Sequence, residues 1–420
     1  MDEQSFTNIR SLLGALAKAL NLINRDMEQH HEQTAYFSWF IAREMGYEEE
    51  EMHRIVYAAL LHDVSSILFD RQLSLTEIES NARQYARIGA DMIRDLPGFA
   101  DIADLIEYCQ TDWATMEEIL RTAGESCTRC AGESSIIHLA DVAATCLDPK
   151  RHVLNQGPGI CELARLGSGT AFWPPAVEAF LKLKDVEYLW LDAAYNPDFL
   201  MFFTGEFHRV SLEQTASLTR LMSRIIDYRS AFTAMHSAGV AASAKTLAKL
   251  RGMSPTDCLK MEIAGNLHDV GKLVVPREIL EKPGKLTAEE FSVVREHTYF
   301  TRLILMDIEG FEEIANWAGF HHEKLNGRGY PFHLGAEDLD LGSRIMAVAD
   351  IFSAITEDRP YRKRMPREEV IAVLRQNVDS GGIDGELVEL LIAHFDEVDA
   401  ARAENSRAAG SRYYSSLGES

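Results

Sequence analysis

Seven side chains in the second half of the sequence are of the types that bind metal ions. They are His236, His268, Asp269, His297, His321, His322 and Asp350. Five imidazoles and two carboxylates are enough for two divalent cations, and this mixture suits iron or manganese better than calcium or magnesium. Two cations about 3.5–4 Å apart can hold the phosphate oxygens of an in-line displacement. The residues therefore predict a centre that binds two divalent metals.

The stretch HHEKLNGRGYP (321–331) joins the histidine pair to a glycine-rich turn. Glycine accepts backbone conformations that other residues avoid, so the chain can turn sharply and present Tyr330 to a substrate. Lys272 follows Asp269 by three residues and supplies a positive charge. A fixed cation there can stabilise negative charge that develops on a phosphate.

Helices must position these residues, because strand signals are scarce and apolar residues recur at helical spacing. One helix can be followed from end to end. Ser254 is a suitable N-cap, Pro255 suits the first helical position, and apolar residues then repeat every fourth position. Gly271 is predicted to end this helix, which leaves His268 and Asp269 in its last turn. The predicted fold class is all-α.

The chain also repeats itself in order. The matching segments are YAALLHDVSSILFDR (57–71) with IAGNLHDVGKLVVPR (263–277), PGFADIADLIEYCQT (97–111) with EGFEEIANWAGFHHE (309–323), SSIIHLADVAA (134–144) with GSRIMAVADIFSA (342–354), and GSGTAFWPPAVEAFLKL (167–183) with SGGIDGELVELLIAHF (380–395). Repetition of this kind indicates two tandem helical-bundle domains.

The predicted boundaries are a first domain at 1–205, a linker helix at 206–232, a second domain at 233–400 and a disordered tail at 401–420. The apolar positions in 211–232 fit a linker helix equally well as the first helix of the second domain. The tail is small and polar in composition, which is typical of disorder.

The first copy of the repeat lacks most of the metal-binding residues. It has Tyr85 in place of His297, and Cys109 and Gln110 in place of the histidine pair. The fold therefore does not need those histidines, which favours a chemical role for them in the second copy. A single buried histidine is, by contrast, more often a hydrogen-bonded core residue than a ligand.

The first copy keeps ligands for one metal at most, and we expect it to be catalytically inert. The retained residues are His30, His62, Asp63 and Asp141. Ser65 and Ser66 replace the glycine and lysine that follow the histidine–aspartate pair in the second copy. The expected roles of the first domain are dimerisation, as a homodimer, or control of its neighbour.

Composition limits the class of partner. The formal net charge of −23 argues against broad contact with a nucleic-acid polymer, whose backbone requires basic surface. The N-terminus lacks the features of a signal peptide, and no segment reaches the length of a membrane span. A cytoplasmic protein with no membrane insertion is expected. Cys127 and Cys130 form a C-x-x-C without a second pair, so a structural zinc site is not predicted.

Three motifs resemble the HD-GYP phosphodiesterases, a branch of the HD metal-dependent phosphohydrolases. The motifs are LHDVGK (267–272), HHEKLNGRGYP (321–331) and VADIFSAITEDRPYR (348–362). The resemblance covers the second copy, and the first resembles a degenerate member. It implies hydrolysis of a cyclic dinucleotide in bacterial second-messenger signalling, chiefly cyclic di-GMP to linear pGpG or GMP, at a two- or three-metal centre of iron or manganese.

The resemblance also implies roles for individual residues. Asp269 would bridge the metals. One metal would be held by His236, His268 and Asp350, and the other by His297, His321 and His322. Lys272 would contact the scissile phosphate, and Tyr330 and Pro331 would form the loop beside it. Arg359, Tyr361 and Arg362 would lie near the phosphate or guanine of the ligand.

Two departures from the family pattern favour two metals over three. Phe232 stands where some members place an acidic ligand for a third metal, and Ser353 stands where an aspartate is common. Three alternatives remain open: 3',3'-cyclic GMP-AMP as substrate, hydrolysis of a different nucleotide, and a non-catalytic sensor of the dinucleotide.

Overall fold

The structure, a computed structural model, describes residues 6–21, 29–65, 75–94, 98–123, 128–195, 209–227, 231–282, 284–358 and 363–416. Within these residues nearly all regular structure is helical, which confirms the all-α prediction. No helix among them combines the length and the apolar character that crossing a bilayer requires. The chain divides into two compact units, which we call the N-terminal unit (12–206) and the C-terminal unit (1–11 with 207–420).

Helix α1 (Ile9–Asn21) spans the boundary between the units. The N-terminal unit contains α2 (His30–Glu44), α3 (Glu49–Leu61), α4 (Leu75–Arg94), α5 (Ala100–Tyr108), α6 (Trp113–Ala123), α7 (Thr128–Thr145), α8 (Gly157–Gly167), α9 (Pro174–Lys182) and α10 (Glu187–Tyr195). The C-terminal unit contains α11 (Leu212–Asp227), α12 (Ala231–Leu250), α13 (Pro255–Leu267), α14 (Arg277–Leu280), α15 (Ala288–Leu305), α16 (Glu312–Gly319), α17 (Leu341–Thr356), α18 (Arg367–Asp379), α19 (Gly385–Ala393) and α20 (Phe395–Ser416).

Helix α12 is the central helix of the C-terminal unit and packs against α11, α13, α17 and α20. Side chains on its neighbours, such as Met261, Ile263, Met346 and Phe352, are completely buried. Helix α15 packs against α16 and against a short 3-10 helix, Val270–Val274, that follows α13. Burial of these apolar side chains, at roughly 25 cal/mol per Å², is the main force that holds the bundle together.

Helix α13 begins as predicted but ends earlier. The Ser254 side chain accepts a hydrogen bond from the Asp257 backbone N–H at 3.1 Å, which confirms the N-cap. The helix ends at Leu267, so Gly271 is not its terminator. Gly271 lies instead in the 3-10 helix, where a Cβ would approach the His297 carbonyl oxygen to 2.0 Å. This glycine allows α15 to come close to the end of α13.

The N-terminal unit has a similar central helix. Helix α2 packs against α3, α7, α9 and α10. Its Phe37 ring meets the rings of Phe180 at 6.1 Å and Trp190 at 5.5 Å between centroids, and all three are buried. Such tilted aromatic contacts contribute beyond the apolar area that they bury.

The start of the chain differs from the predicted boundaries, and the described part of 206–232 fits one of the two alternatives that the sequence left open. Residues 7–8 form a short strand, β1 (Thr7–Asn8), which pairs antiparallel with β2 (Arg209–Val210), so this start of the chain belongs to the C-terminal unit. Helix α11 packs on α12 and α13, as the first helix of that unit would.

The predicted disorder of the tail was wrong as far as residue 416. Helix α20 runs to Ser416 and packs along α12. Arg402, Ser406 and Ala409 are buried there, and the Ser406 hydroxyl donates to the Met235 carbonyl at 2.8 Å. The small side chains that suggested disorder are the ones that allow two helices to pack closely.

Candidate metal centre

The first half of the centre is assembled from three helices of the C-terminal unit. His236 lies within α12, His268 and Asp269 directly follow α13, and Asp350 lies within α17. The His236 Nε2 atom is 3.1 Å from an Asp350 carboxylate oxygen, and the His268 Nε2 atom is 3.2 Å from an Asp269 oxygen. All four residues are buried.

The second half comes from α15 and from the turn after α16. The His297 Nε2 atom lies 3.4 Å from the His321 Nε2 atom and 3.4 Å from an Asp269 oxygen. The His322 Nδ1 atom lies 3.7 Å from an Asp350 oxygen. Asp269 and Asp350 thus each connect the two halves, as a shared pair of metals would require.

Three of the histidines are oriented in the same way by the backbone. Each Nδ1–H donates to the carbonyl three residues earlier, which leaves Nε2 directed into the centre. The bonds are His268 to Gly265 (2.8 Å), His297 to Val294 (2.5 Å) and His321 to Ala318 (2.6 Å). A second hydrogen bond of this kind fixes the tautomer of metal-binding histidines.

The carboxylates of the centre are held in their charged form. Burial favours the neutral form of Asp269, but His268 and Lys272 outweigh it and keep the pKa of this carboxyl well below its usual range. The pKa of Asp350 is also lowered, because the bond from His236 and other nearby imidazoles outweigh burial. Both carboxylates are therefore ready to bind a cation.

The imidazoles fall into two groups. Burial lowers the pKa of His297 to about 3 and that of His321 well below its usual value, so both are neutral. For His236, burial is outweighed by Glu357 and Asp350, which raise the pKa to about 10. A histidine must be deprotonated to bind a metal, so ligation by His236 releases a proton.

The donor set fits metal ions. Nitrogen and oxygen atoms come within 4.8 Å of one another in three overlapping groups: His236, His268 and Asp350; His268, Asp269 and His321; and His297, His321 and His322. The His268 Nε2 and Asp269 Oδ1 atoms are buried without a hydrogen-bond partner. Buried polar atoms are nearly always satisfied, so two unsatisfied ones facing the same cluster indicate a ligand.

The structure describes some of the remaining predicted residues and leaves the others outside its described ranges. The Lys272 Nζ atom lies 2.5 Å from an Asp269 oxygen, at the centre as expected. The Tyr330 ring lies 5.0 Å from the His322 ring, and Pro331 follows through a cis peptide bond. Arg359, Tyr361, Arg362 and the side chain of Phe232 lie outside the described residues.

Two glutamates near the centre, the buried Glu323 and the partly buried Glu357, were missed by sequence reasoning. Glu357 accepts from His236 Nδ1 at 3.1 Å and so orients that histidine. Glu323 holds the loop, because its two oxygens accept from the backbone N–H groups of Phe332 at 2.7 Å and Leu334 at 3.0 Å. Each lies within a quoted motif, and that position was the available signal.

The N-terminal unit contains a smaller cluster of the same kind. The His30 Nε2 atom lies 3.1 Å from an Asp141 oxygen and 3.3 Å from His62 Nε2, which in turn is 3.4 Å from an Asp63 oxygen. Gln110 donates to the other Asp141 oxygen at 2.8 Å. Cys109 is buried and bonds to its own helix. Among the described residues, this unit has no counterpart of the second half of the centre.

Comparison with known proteins agrees with this architecture. Models of the HD domain match residues 220–387 and 27–145. A 3'3'-cGAMP-specific phosphodiesterase of Vibrio cholerae is 30% identical over 92% of this chain and 91% of its own. The chain belongs to the HD-GYP family of cyclic-dinucleotide phosphodiesterases.

Other cyclic-dinucleotide phosphodiesterases match a part or nearly all of the chain. A cyclic di-GMP phosphodiesterase of Pseudomonas aeruginosa is 43% identical over 33% of this chain and 34% of its own. The crystal structure of a cyclic GMP-AMP specific phosphodiesterase of Vibrio cholerae superposes with a TM-score of 0.65, at 23% identity, over 93% of this chain and 98% of that one. The fold is thus shared along nearly the whole length, including both HD units.

Proposed function

We propose that the C-terminal unit holds two divalent transition metals, iron or manganese, and hydrolyses a phosphodiester of a cyclic dinucleotide. The observation that carries this proposal is the convergence of the seven predicted ligands in overlapping groups around unsatisfied buried atoms. His236, His268 and Asp350 would hold one metal, His297, His321 and His322 the other, and Asp269 both. A metal pair of this kind activates water and neutralises charge on the phosphate.

The residues of the chain supply position and charge. Asp269 and Asp350 are fixed in their ionised forms, and the backbone bonds to the histidines hold the donor atoms in place before a substrate arrives. Lys272 extends from the turn that carries Asp269, with its ammonium group 2.5 Å from an Asp269 oxygen, and from there it would contact the reacting phosphate. A cation that is already in position needs no reorganisation when negative charge develops.

The loop after the histidine pair would form one wall of the substrate site. Tyr330 lies against His322, and Glu323 fixes the loop backbone from beneath. Gly329 is required there, because a Cβ would approach the Glu323 Cα atom to 2.4 Å. A loop held in this way keeps Tyr330 in a fixed position beside the centre.

Of the two substrates expected from the sequence, 3',3'-cyclic GMP-AMP is the one that we would test first. The relative matched along nine-tenths of the chain is specific for that dinucleotide, whereas the cyclic di-GMP phosphodiesterase matches a third. Cyclic di-GMP remains the second substrate to test.

Purified, metal-quantified protein should be offered both dinucleotides, with chromatographic analysis of the products. We expect about two transition-metal ions per chain and a linear dinucleotide or mononucleotides as product. Binding of a dinucleotide without turnover in fully metallated protein would instead support the sensor. A reproducible third ion per chain would contradict the two-metal assignment.

We further propose that the N-terminal unit is non-catalytic and acts in dimerisation or in control of its neighbour. This proposal is supported by the replacement of the second metal's ligands by Cys109 and Gln110, and by α6, a helix that begins at Trp113 where a GYP-like loop would start. The isolated N-terminal unit should cleave neither dinucleotide when manganese is added.

A further inference from the structure

Arg295 lies on α15, two residues before His297, and faces the loop of the metal centre. Its guanidinium carbon is 4.9 Å from the centre of the Tyr330 ring. The same ring lies 5.0 Å from the ring of His322. Arg295 and a residue of the predicted metal-binding set therefore contact the same aromatic ring.

Within the described residues, the side-chain donors of Arg295 have no hydrogen-bond acceptor. Its Nε atom is buried without a hydrogen-bond partner, and within the described part of the chain its guanidinium makes no hydrogen bond or ion pair. A buried donor that is left unsatisfied is costly and is normally avoided. The loop contact alone does not explain it, because stacking on a ring satisfies none of the N–H groups.

Arg302, two turns further along α15, shows what an arginine with a structural role looks like. Its guanidinium carbon lies 5.6 Å from the centres of both the Phe320 and Phe332 rings, so it too stacks on aromatic side chains. Its Nε, however, donates to the Asn316 side-chain oxygen at 2.9 Å. Of these two arginines on one helix, Arg302 has a hydrogen-bonded Nε donor, whereas the Nε of Arg295 has no hydrogen-bond partner among the described residues.

The chemistry of the substrate supplies such an acceptor. A cyclic dinucleotide has two phosphodiesters, and only one can react at the metal centre at a time. The second carries a negative charge into a site that already holds the carboxylates of Asp269 and Asp350, while Lys272 is engaged with Asp269 at 2.5 Å. A planar guanidinium matches two phosphate oxygens better than any other side chain.

We propose that Arg295 binds the phosphate that is not being cleaved and so holds the cyclic dinucleotide across the Tyr330 loop. This inference rests on the proposed function of the metal centre. It assigns substrate binding to α15, in addition to the predicted arginines at 359 and 362. Because the contact is with a phosphate, it acts equally on guanine- and adenine-containing substrates.

The test compares Arg295→Met, Arg295→Lys and the control Arg302→Met in full-length, metal-loaded protein. Methionine keeps an apolar stem against the ring and removes the charged donors. We expect Arg295→Met to raise KM by about 10- to 100-fold, the size of a charge-assisted hydrogen bond, with metal content and kcat little changed. Arg295→Lys should recover part of the loss, because it keeps the charge without the planar fork. Arg302→Met should keep the KM of the unmodified protein.

Other outcomes would contradict a specific part of the proposal that Arg295 binds the uncleaved phosphate. A KM for Arg295→Met within about twofold of that of the active, unmodified protein would exclude the contact. A loss seen with cyclic di-GMP but not with 3',3'-cyclic GMP-AMP, or the reverse, would mean that Arg295 reads a base rather than a phosphate. Loss of metal in Arg295→Met would assign it to the centre itself. Absence of hydrolysis in the unmodified, metallated protein would instead reject the proposed function.

Discussion

In both units a histidine from the central helix meets a histidine–aspartate pair and an aspartate from a third helix. In the N-terminal unit the central-helix histidine is 3.1 Å from its aspartate (His30 and Asp141), and in the C-terminal unit the same distance separates His236 from Asp350. The helices α2, α3 and α7 therefore build the same frame as α12, α13 and α17. This arrangement of three helices is present in both units, although among the described residues only the C-terminal unit adds the second half of the centre.

The two units differ in the pair of residues that comes after α16 in the C-terminal unit and after α5 in the N-terminal unit. The His321 Nδ1 atom bonds to the carbonyl three residues earlier, and His322 approaches Asp350. At the matching positions, Cys109 bonds to a carbonyl three residues earlier, and Gln110 approaches Asp141. The backbone geometry is thus preserved while the metal-binding atoms are exchanged. The Gln110 amide and the buried Cys109 thiol fit the same backbone positions, but only the imidazoles of His321 and His322 add donors for a second metal.

The largest expected difference between the units is in their histidine–aspartate pairs. His268→Ala should remove hydrolysis, because it deletes a predicted ligand that lies in two of the overlapping donor groups. The matched His62→Ala should leave the rate of folded protein largely intact. Steady-state assays on both, with metal content and circular dichroism as controls, decide the matter. A comparable loss in the two variants would break the distinction between the units.

Lys272, which follows the His268–Asp269 pair, is a second difference between the units, because Ser66 stands at the matching position in the N-terminal unit. Lys272→Ala should lower kcat by about 10²–10³ while the metals stay bound, as removal of a single fixed charge does elsewhere. Rate measurement and elemental analysis of the same sample check this. If the variant lost metal, the lysine would be supporting Asp269 rather than acting on the phosphate.

Glu357 is expected to have a smaller effect. It accepts from His236 Nδ1, so Glu357→Ala should weaken metal affinity or activity by about 10- to 100-fold, as loss of a carboxylate behind a metal-binding histidine does. Titration of apo-protein with manganese gives the affinity directly. Added metal should restore most of the rate, and failure to do so at saturation would show that Glu357 acts in another way.

The smallest expected effect concerns a helix that packs on the central helix of each unit. This helix is α10 on α2 and α20 on α12. Arg402→Ala should lower the free energy of unfolding by about 1–3 kcal/mol, because Arg402 is buried and paired with Asp399 at 2.7 Å. The exposed Arg407, one turn and a half along α20, is the control, and its alanine variant should stay within about 0.5 kcal/mol. Equal denaturation midpoints for both variants would contradict the packing of α20.

Much of the fold and of the site could be predicted from the sequence. Apolar spacing gave the helical class, the repeated segments gave two HD domains, and the Ser254 N-cap began α13 where expected. The predicted metal ligands do lie together. Their roles as ligands stay a prediction, as do the substrate contacts of the arginines in 359–362, which lie outside the described residues.

Other features were decided by packing that no local pattern reveals. Gly271 looked like the end of a helix, but its missing Cβ serves the approach of α15, whose residues are distant in sequence. The tail looked disordered because its composition is small and polar, yet those small residues fit closely against α12. The first strand pairs with Arg209–Val210, two hundred residues away.

The sequence by itself determined the helical class, the duplication and the set of side chains able to bind metal, because helical periodicity and residue chemistry are local properties of the chain. Only the tertiary structure decided which atoms meet. Glu357 orients His236, Glu323 holds the Tyr330 loop, and the Arg295 Nε has no hydrogen-bond partner in the part of the chain that the structure describes. Hydrogen bonding and burial depend on neighbours that are distant along the chain, so they are fixed only when the helices pack.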